Sequence, residues 1–162
     1  MKLYIKQKLF SLTSNFSVKD ENNEDKYFVK GEFFSLRGKL HILNQNGEEI
    51  GLIYAKLFTL FPRFFLEING QEVAQIVKEF SFFKPKYRLE NTTLRVEGDL
   101  WSHNYSLFDS DKLIMTIMKE WFAFSDTYAL EIFDPSYELI SLGIVLAIDT
   151  ANAQQAAANV PN

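Results

Sequence analysis

The chain has 162 residues, 47% of them apolar, and a formal net charge of −4. That length suits one domain with a real core, and the apolar share excludes disorder as the default reading. The acidic total leaves no global basic surface of the kind nucleic-acid binding requires, and the lack of cysteine removes disulfides, thiolate nucleophiles and zinc–thiolate sites.

Sixteen Phe and seven Tyr stand against seven Gly and four Pro. Aromatic side chains favour pleated, half-buried surfaces, so the class tilts toward β. At the N-terminus, Lys6 and Lys8 interrupt the apolar residues and no signal-peptide core forms. A first hairpin is predicted from residues 16–19 and 26–31, joined by the acidic turn Asp20-Glu-Asn-Asn-Glu-Asp25. That turn lacks the glycine and distal glutamate of a calcium loop and reads as a solvated hairpin tip. Asn44-Gln-Asn-Gly47 and Asn69-Gly70 mark the next two turns; Asn-Gly between apolar runs is a strong hairpin signal because both residues accept positive φ. Further turns fall at residues 90–92 and 109–111.

An internal repeat runs through this pattern. Gly47-Glu-Glu-Ile-Gly-Leu-Ile-Tyr-Ala-Lys56 parallels Gly70-Gln-Glu-Val-Ala-Gln-Ile-Val-Lys-Glu79, and a third copy begins at Ser110. Each copy continues through an aromatic bend into another strand. Such a meander cannot bury its apolar face alone, and must curl or stack. The last element differs in kind. Asp134-Pro135 suits a helix start, and residues 139–148 are apolar all round, so that a helix there must be buried all round. The interior of a barrel is its natural home; a buried strand is the alternative, because residues 144–148 would suit either. Ten helical residues span about 15 Å, half of a bilayer core, so this segment is no transmembrane span. Residues 1–150 are read as a single domain and 151–162 as an Ala/Gln-rich C-terminal tail.

Three stretches resemble the LURP-one-related family. They are Tyr27-Phe-Val-Lys-Gly31 with the apolar run after it, Val96-Glu-Gly-Asp99 with its continuation to Leu107, and Lys119-Glu-Trp-Phe-Ala-Phe-Ser-Asp-Thr-Tyr128. The apolar helix ending in Asp149 matches as well. The resemblance implies a tubby C-terminal-like fold, a closed antiparallel barrel of about twelve strands enclosing a central C-terminal hydrophobic helix. The same superfamily includes tubby domains, which bind phosphoinositide head groups, and phospholipid scramblases. No motif carries a binding residue over from them.

No catalytic constellation emerges. His41 and His103 lie in no ligand-spaced motif and read as surface or edge histidines, so no metal site is predicted. There is no Gly-x-Ser-x-Gly elbow and no Gly-rich phosphate loop, and no cofactor is implied. Lys84, Lys86 and Arg88 alternate along a strand and share its outer face; Arg37 and Lys39 form a shorter basic pair. Such a row can hold an anionic head group or lipid surface, although the acidic total favours an ordinary solvated wall. The aromatics of the bends, among them Phe80, Phe82, Phe83 and Trp121, are expected to pack the helix and the barrel ends, and Trp101 to share that packing; the alternative is an exposed cluster that marks a membrane or partner surface. The leading expectation is a non-enzymatic, cytoplasmic binding domain whose partner is an anionic lipid or a membrane-associated protein. The alternatives are an enzyme with carboxylates at a barrel mouth and a purely structural protein–protein module.

Overall fold

The computed structural model describes residues 1–6, 15–32, 38–56, 63–82, 86–120 and 127–158. Its strands are β1 (Lys2–Lys6), β2 (Asn15–Lys19), β3 (Asp25–Glu32), β4 (Lys39–Leu43), β5 (Glu49–Lys56) and β6 (Arg63–Ile68) in the first half. The second half adds β7 (Gln71–Glu79), β8 (Lys86–Glu90), β9 (Leu94–Asp99), β10 (Asn104–Asp109), β11 (Lys112–Glu120) and β12 (Thr127–Ile132), then the helix α1 (Glu138–Ala158). All twelve strands join one antiparallel sheet in the order β8 to β1, then β12 to β9.

The hairpins form where the turn chemistry predicts. Asn69 and Gly70 both adopt positive φ, at 50° and 76°, and Asn23, Gly47, Asn91 and Ser110 mark other turns in the same way. Asp20 fixes the acidic tip by accepting from the amides of Asn22 and Glu24, each at 2.9 Å. Next to four of these turns the pairing slips by one residue, at Val18/Lys19, Ile42/Leu43, Leu66/Glu67 and Leu107/Phe108. Bulges of this kind sharpen strand twist, which helps a long meander curl.

Curling brings the first strand against the last. β1 pairs with β12 from Lys2↔Glu131 to Lys6↔Thr127, and Met1 exchanges backbone bonds with Ile132. The barrel is nearly closed rather than fully closed as the sequence predicts. β8 and β9 lie in contact but exchange no ladder, so they form a seam. β8 is only five residues long, and β9 is drawn toward β10 at Gly98, where φ is +125°. A Cβ there would sit 2.6 Å from the Asn104 carbonyl oxygen. Charged side chains on both edge strands, Arg88 and Arg95 with their carboxylate partners, discourage pairing with another chain.

Strand direction alternates, so the connections sort to two ends. One end carries the short polar turns that follow the even-numbered strands. The other carries the repeat bends and the Leu100–His103 turn that follow the odd-numbered strands. α1 enters at the turn end and runs to the bend end. Asp134 caps a short 3-10 turn at the entry by accepting from the Ser136 amide. Its carboxyl is held down to about 2, chiefly by a hydrogen bond from Lys112. Tyr27 on β3 donates to Glu138 at 2.9 Å, and Lys26 pairs with the same carboxylate.

Inside the barrel every residue from Ser141 to Asn152 is buried. Leu142, Ile144, Val145, Leu146 and Ile148 meet the inward rows of the strands, such as Ile53, Phe64, Leu66 and Leu107. Each such side chain contributes roughly 1.5–3 kcal/mol by leaving water. The helix is longer than residues 139–148. It continues to Ala158, so the segment read as a tail from residue 151 begins as helix, with Ala151 and Asn152 buried. Ala and Gln favour this extension, and the polar anchors at Asp149 and Asn152 hold it.

Candidate functional site

The bend end concentrates the polar chemistry of the interior. Asp149, on the last buried turns of α1, is the one fully buried carboxylate among the described residues. His103, from the β9–β10 turn, donates through Nε2 to Asp149 Oδ1 at 2.5 Å. Its backbone has a φ of 54°, and its ring stacks on Tyr128 of β12 at 4.1 Å between centroids. One helical turn on, Asn152 accepts from Tyr87 of β8 at 2.8 Å and donates to the Leu100 carbonyl at 3.1 Å. The pair and the bridge together tie the helix to both sides of the seam.

The electrostatics follow from burial. Desolvation pushes the Asp149 carboxyl up, and the His103 contact opposes it. Burial also raises the Tyr87 and Tyr105 hydroxyls, with the Asp149 charge adding to both, so both keep their protons. Among the described residues, Asp149 Oδ2 and the Tyr105 hydroxyl have no hydrogen-bond partner. His103 is therefore no surface or edge histidine: its side chain is 13% exposed, and its partner lies in the core. His41 does sit on the wall, between Glu32 and Glu49.

The basic residues singled out from the sequence divide three ways. Arg37 and Lys84 lie outside the described residues. Arg88 faces outward as predicted, opposite to the buried Tyr87, but pairs with Glu79 at 3.3 Å and with Glu90. Arg63 also reaches Glu90, at 2.7 Å. Hydrogen bonds from Arg88, then Arg63, hold the Glu90 carboxyl below its usual range. Arg88 is thus committed to the wall. Lys86 is exposed and Lys39 half-buried; both open their strands at the bend end. There they join Lys30, Lys56 and Lys78, each within two residues of the bend-side end of its strand.

The opposite end is acidic. Asp20, Glu21, Glu24 and Asp25 crowd one turn, Glu48 and Glu49 the next, and Asp109 and Asp111 another. A shallow dent on the outer wall there, lined by Glu49, Ile50, Gly51, Leu52, Glu67 and Gly70, has room for about one water.

The aromatics also depart from expectation. Phe64 is buried, and Phe65 stacks on Tyr54 at 5.2 Å. Phe80, Phe82 and Trp101 instead project from the bend end at 70%, 83% and 50% exposure. The core around α1 is built without them, from aliphatic side chains together with Phe64, Tyr87, Tyr105 and Tyr128. Phe58, Phe61, Phe83, Trp121, Phe122 and Phe124 lie outside the described residues.

A family model described as LURP-one-related matches residues 1–149. The chain belongs to this family. A Bacillus subtilis (strain 168) relative, the uncharacterized protein YxjI, is 32% identical over 149 residues, covering 92% of each chain. An X-ray structure of an Arabidopsis thaliana protein has the same fold at a TM-score of 0.63. It is 17% identical and aligned over 93% of this chain and 90% of that one.

The segments that resemble the LURP-one-related family have structural jobs around the helix. Tyr27 meets Glu138 at the helix entry, while Val29 is fully buried. Gly98 permits the close approach of β9 and β10, and Asp99 accepts from the amides of Trp101 and Ser102. Tyr128 supports His103, which holds Asp149. The His103–Asp149 pair is absent from the sequence reading because its members lie 46 residues apart. One signal pointed to it: an acid ending a wholly apolar helical run needs a partner.

Proposed function

We propose that the protein is a non-enzymatic binding domain of the LURP-one-related family that docks by its bend end onto an anionic phospholipid surface. The supporting observation is the charge polarity of the barrel. Lysines outnumber Glu32, Glu79 and Asp99 at the bend-side strand ends, and carboxylates outnumber Lys19, Lys26 and Lys112 around the turns of the other end. A net charge of −4 hides this division. A molecule so polarised orients in the field of an anionic membrane, with its basic end toward the lipid. The cysteine-free composition suits the anionic cytoplasmic leaflet.

The buried dyad supports a structural role rather than a chemical one. Asp149 Oδ1 is engaged by His103, whose ring is covered by Tyr128. Both residues serve to fasten the seam turn to the helix.

Each lysine near an anionic surface contributes roughly 1 kcal/mol. A handful of them gives a few kcal/mol, which alone corresponds to binding of about millimolar strength. Co-sedimentation with phosphatidylcholine vesicles, with and without phosphatidylserine, tests the proposal. Binding is expected only with the anionic lipid, and is expected to fall steeply between low and physiological salt. Equal binding to both vesicles, or none to either, sinks it.

A further inference from the structure

We infer that Phe80, Phe82 and Trp101 form an insertion edge beside the barrel seam, which enters the interfacial layer of an anionic membrane. The inference rests on the docking proposed above and specifies how the contact is made.

Three large aromatic side chains project from one end of the barrel, on connections that flank the seam, whereas among the described aromatics Phe133 stands exposed alone at the other end. Phe80 and Phe82 lie on the path from β7 to β8, and Trp101 on the turn from β9 to β10. Asn152 bridges Tyr87, near the start of β8, and the Leu100 carbonyl, just past β9, so the two connections leave the barrel on the same side. Large exposed aromatics grouped at one end of a domain mark a contact surface.

Their presentation is built rather than incidental. The Phe80 and Phe82 rings meet edge to face, with centroids 4.8 Å apart and planes at 83°. Trp101 stands at the tip of a turn whose amides, its own and that of Ser102, donate to Asp99 Oδ1 at 3.1 and 3.3 Å. That turn is fastened to α1 twice, by Asn152 to the Leu100 carbonyl and by Asp149 to His103. A rigid turn loses little conformational freedom on binding.

The charge around the edge selects the occupant. Lys78 precedes the Phe80 pair by two residues, and Lys86 opens the strand that follows it. Lys56 is exposed at the bend-side end of β5. Glu79 beside Phe80 is paired with Arg88 and Asp99 is engaged by the turn amides, so apolar rings with lysines near them complement a layer that is apolar below and anionic above. Trp favours this interfacial depth, because its ring is apolar and its indole N–H polar.

The test uses the full chain and vesicles of phosphatidylcholine with phosphatidylserine. Tryptophan emission of vesicle-bound protein is read with and without brominated acyl chains, for the wild type and for W101F. The difference between the two isolates Trp101 from Trp121. A blue shift and bromine quenching are expected in the wild type and should be largely lost in W101F. F80S/F82S should bind the same vesicles at least tenfold more weakly while melting at the wild-type temperature. Trp101 emission that stays unshifted and unquenched on bound protein overturns insertion while leaving electrostatic docking intact. No binding by the wild type overturns both readings. Concentration-dependent self-association that F80S/F82S abolishes, without any change in vesicle binding, would assign the edge to a second copy of this chain instead.

Discussion

His103 and Asp149 show what one residue pair can hold together. The pair fixes the turn that presents Trp101, and the imidazole opposes the desolvation of a fully buried acid. Remove the imidazole and Asp149 is left buried without a partner, a change that typically costs about 3–5 kcal/mol. The pH dependence then has a definite sign. A carboxyl raised by burial binds its proton more tightly in the folded than in the unfolded state. Its favourable contribution is complete below the unfolded value and is lost as pH rises from there through the raised folded value. H103A is therefore expected to lower Tm more at pH 7 than at pH 5, and adding D149N should recover part of the loss. Thermal melts of the single and double variants across that range check this. A loss in H103A that is the same at both pH values would contradict it.

At the scale of elements, the helix and the wall are fitted at contact distance. Gly143 faces Leu66 of β6, and a Cβ at that position would lie 2.5 and 2.8 Å from the two Leu66 methyl carbons. Alanine is the better helix former by roughly 1 kcal/mol. Overpacking a filled core typically costs about 1–3 kcal/mol, and Leu66 is fully buried. G143A should therefore melt several degrees below the wild type; a raised Tm would show that Leu66 repacks freely.

Much at this scale was legible in the sequence. The Asn-Gly turns, the alternation in residues 49–56 and 63–68 and the all-apolar run after Asp134 located the hairpins and the threaded helix. The seam was not legible, because nothing local in residues 86–90 or 94–99 says that two strands joined by a turn stay unladdered. What holds the helix past Asp149 was not legible, because its anchors, Tyr87 and the Leu100 carbonyl, come from distant parts of the chain.

For the whole molecule, the decisive property is the sorting of charge by strand direction. The basic row was legible as a pattern, but its members separate in the fold. Arg88 is consumed by Glu79 and Glu90, whereas Lys86 and Lys39 join a ring of lysines contributed by other strands. Charge summed along the sequence conceals this, since a meander sends alternate connections to opposite ends. The polarity was recoverable only once the hairpins were placed. It turns a weakly acidic protein into one with a basic, aromatic-bearing face and an acidic back.

Two variants with equal net charge separate this account from any effect of total charge. K56Q/K86Q removes two cations from the bend end, while N22E/N46E adds two anions at exposed turn tips of the other end. The measurement is the partition of each protein onto phosphatidylserine-containing vesicles at physiological salt. With roughly 1 kcal/mol per lysine, K56Q/K86Q should lose about thirtyfold in affinity while N22E/N46E stays near the wild type. Equal losses in the two variants, or no loss in K56Q/K86Q, would contradict docking by the bend end.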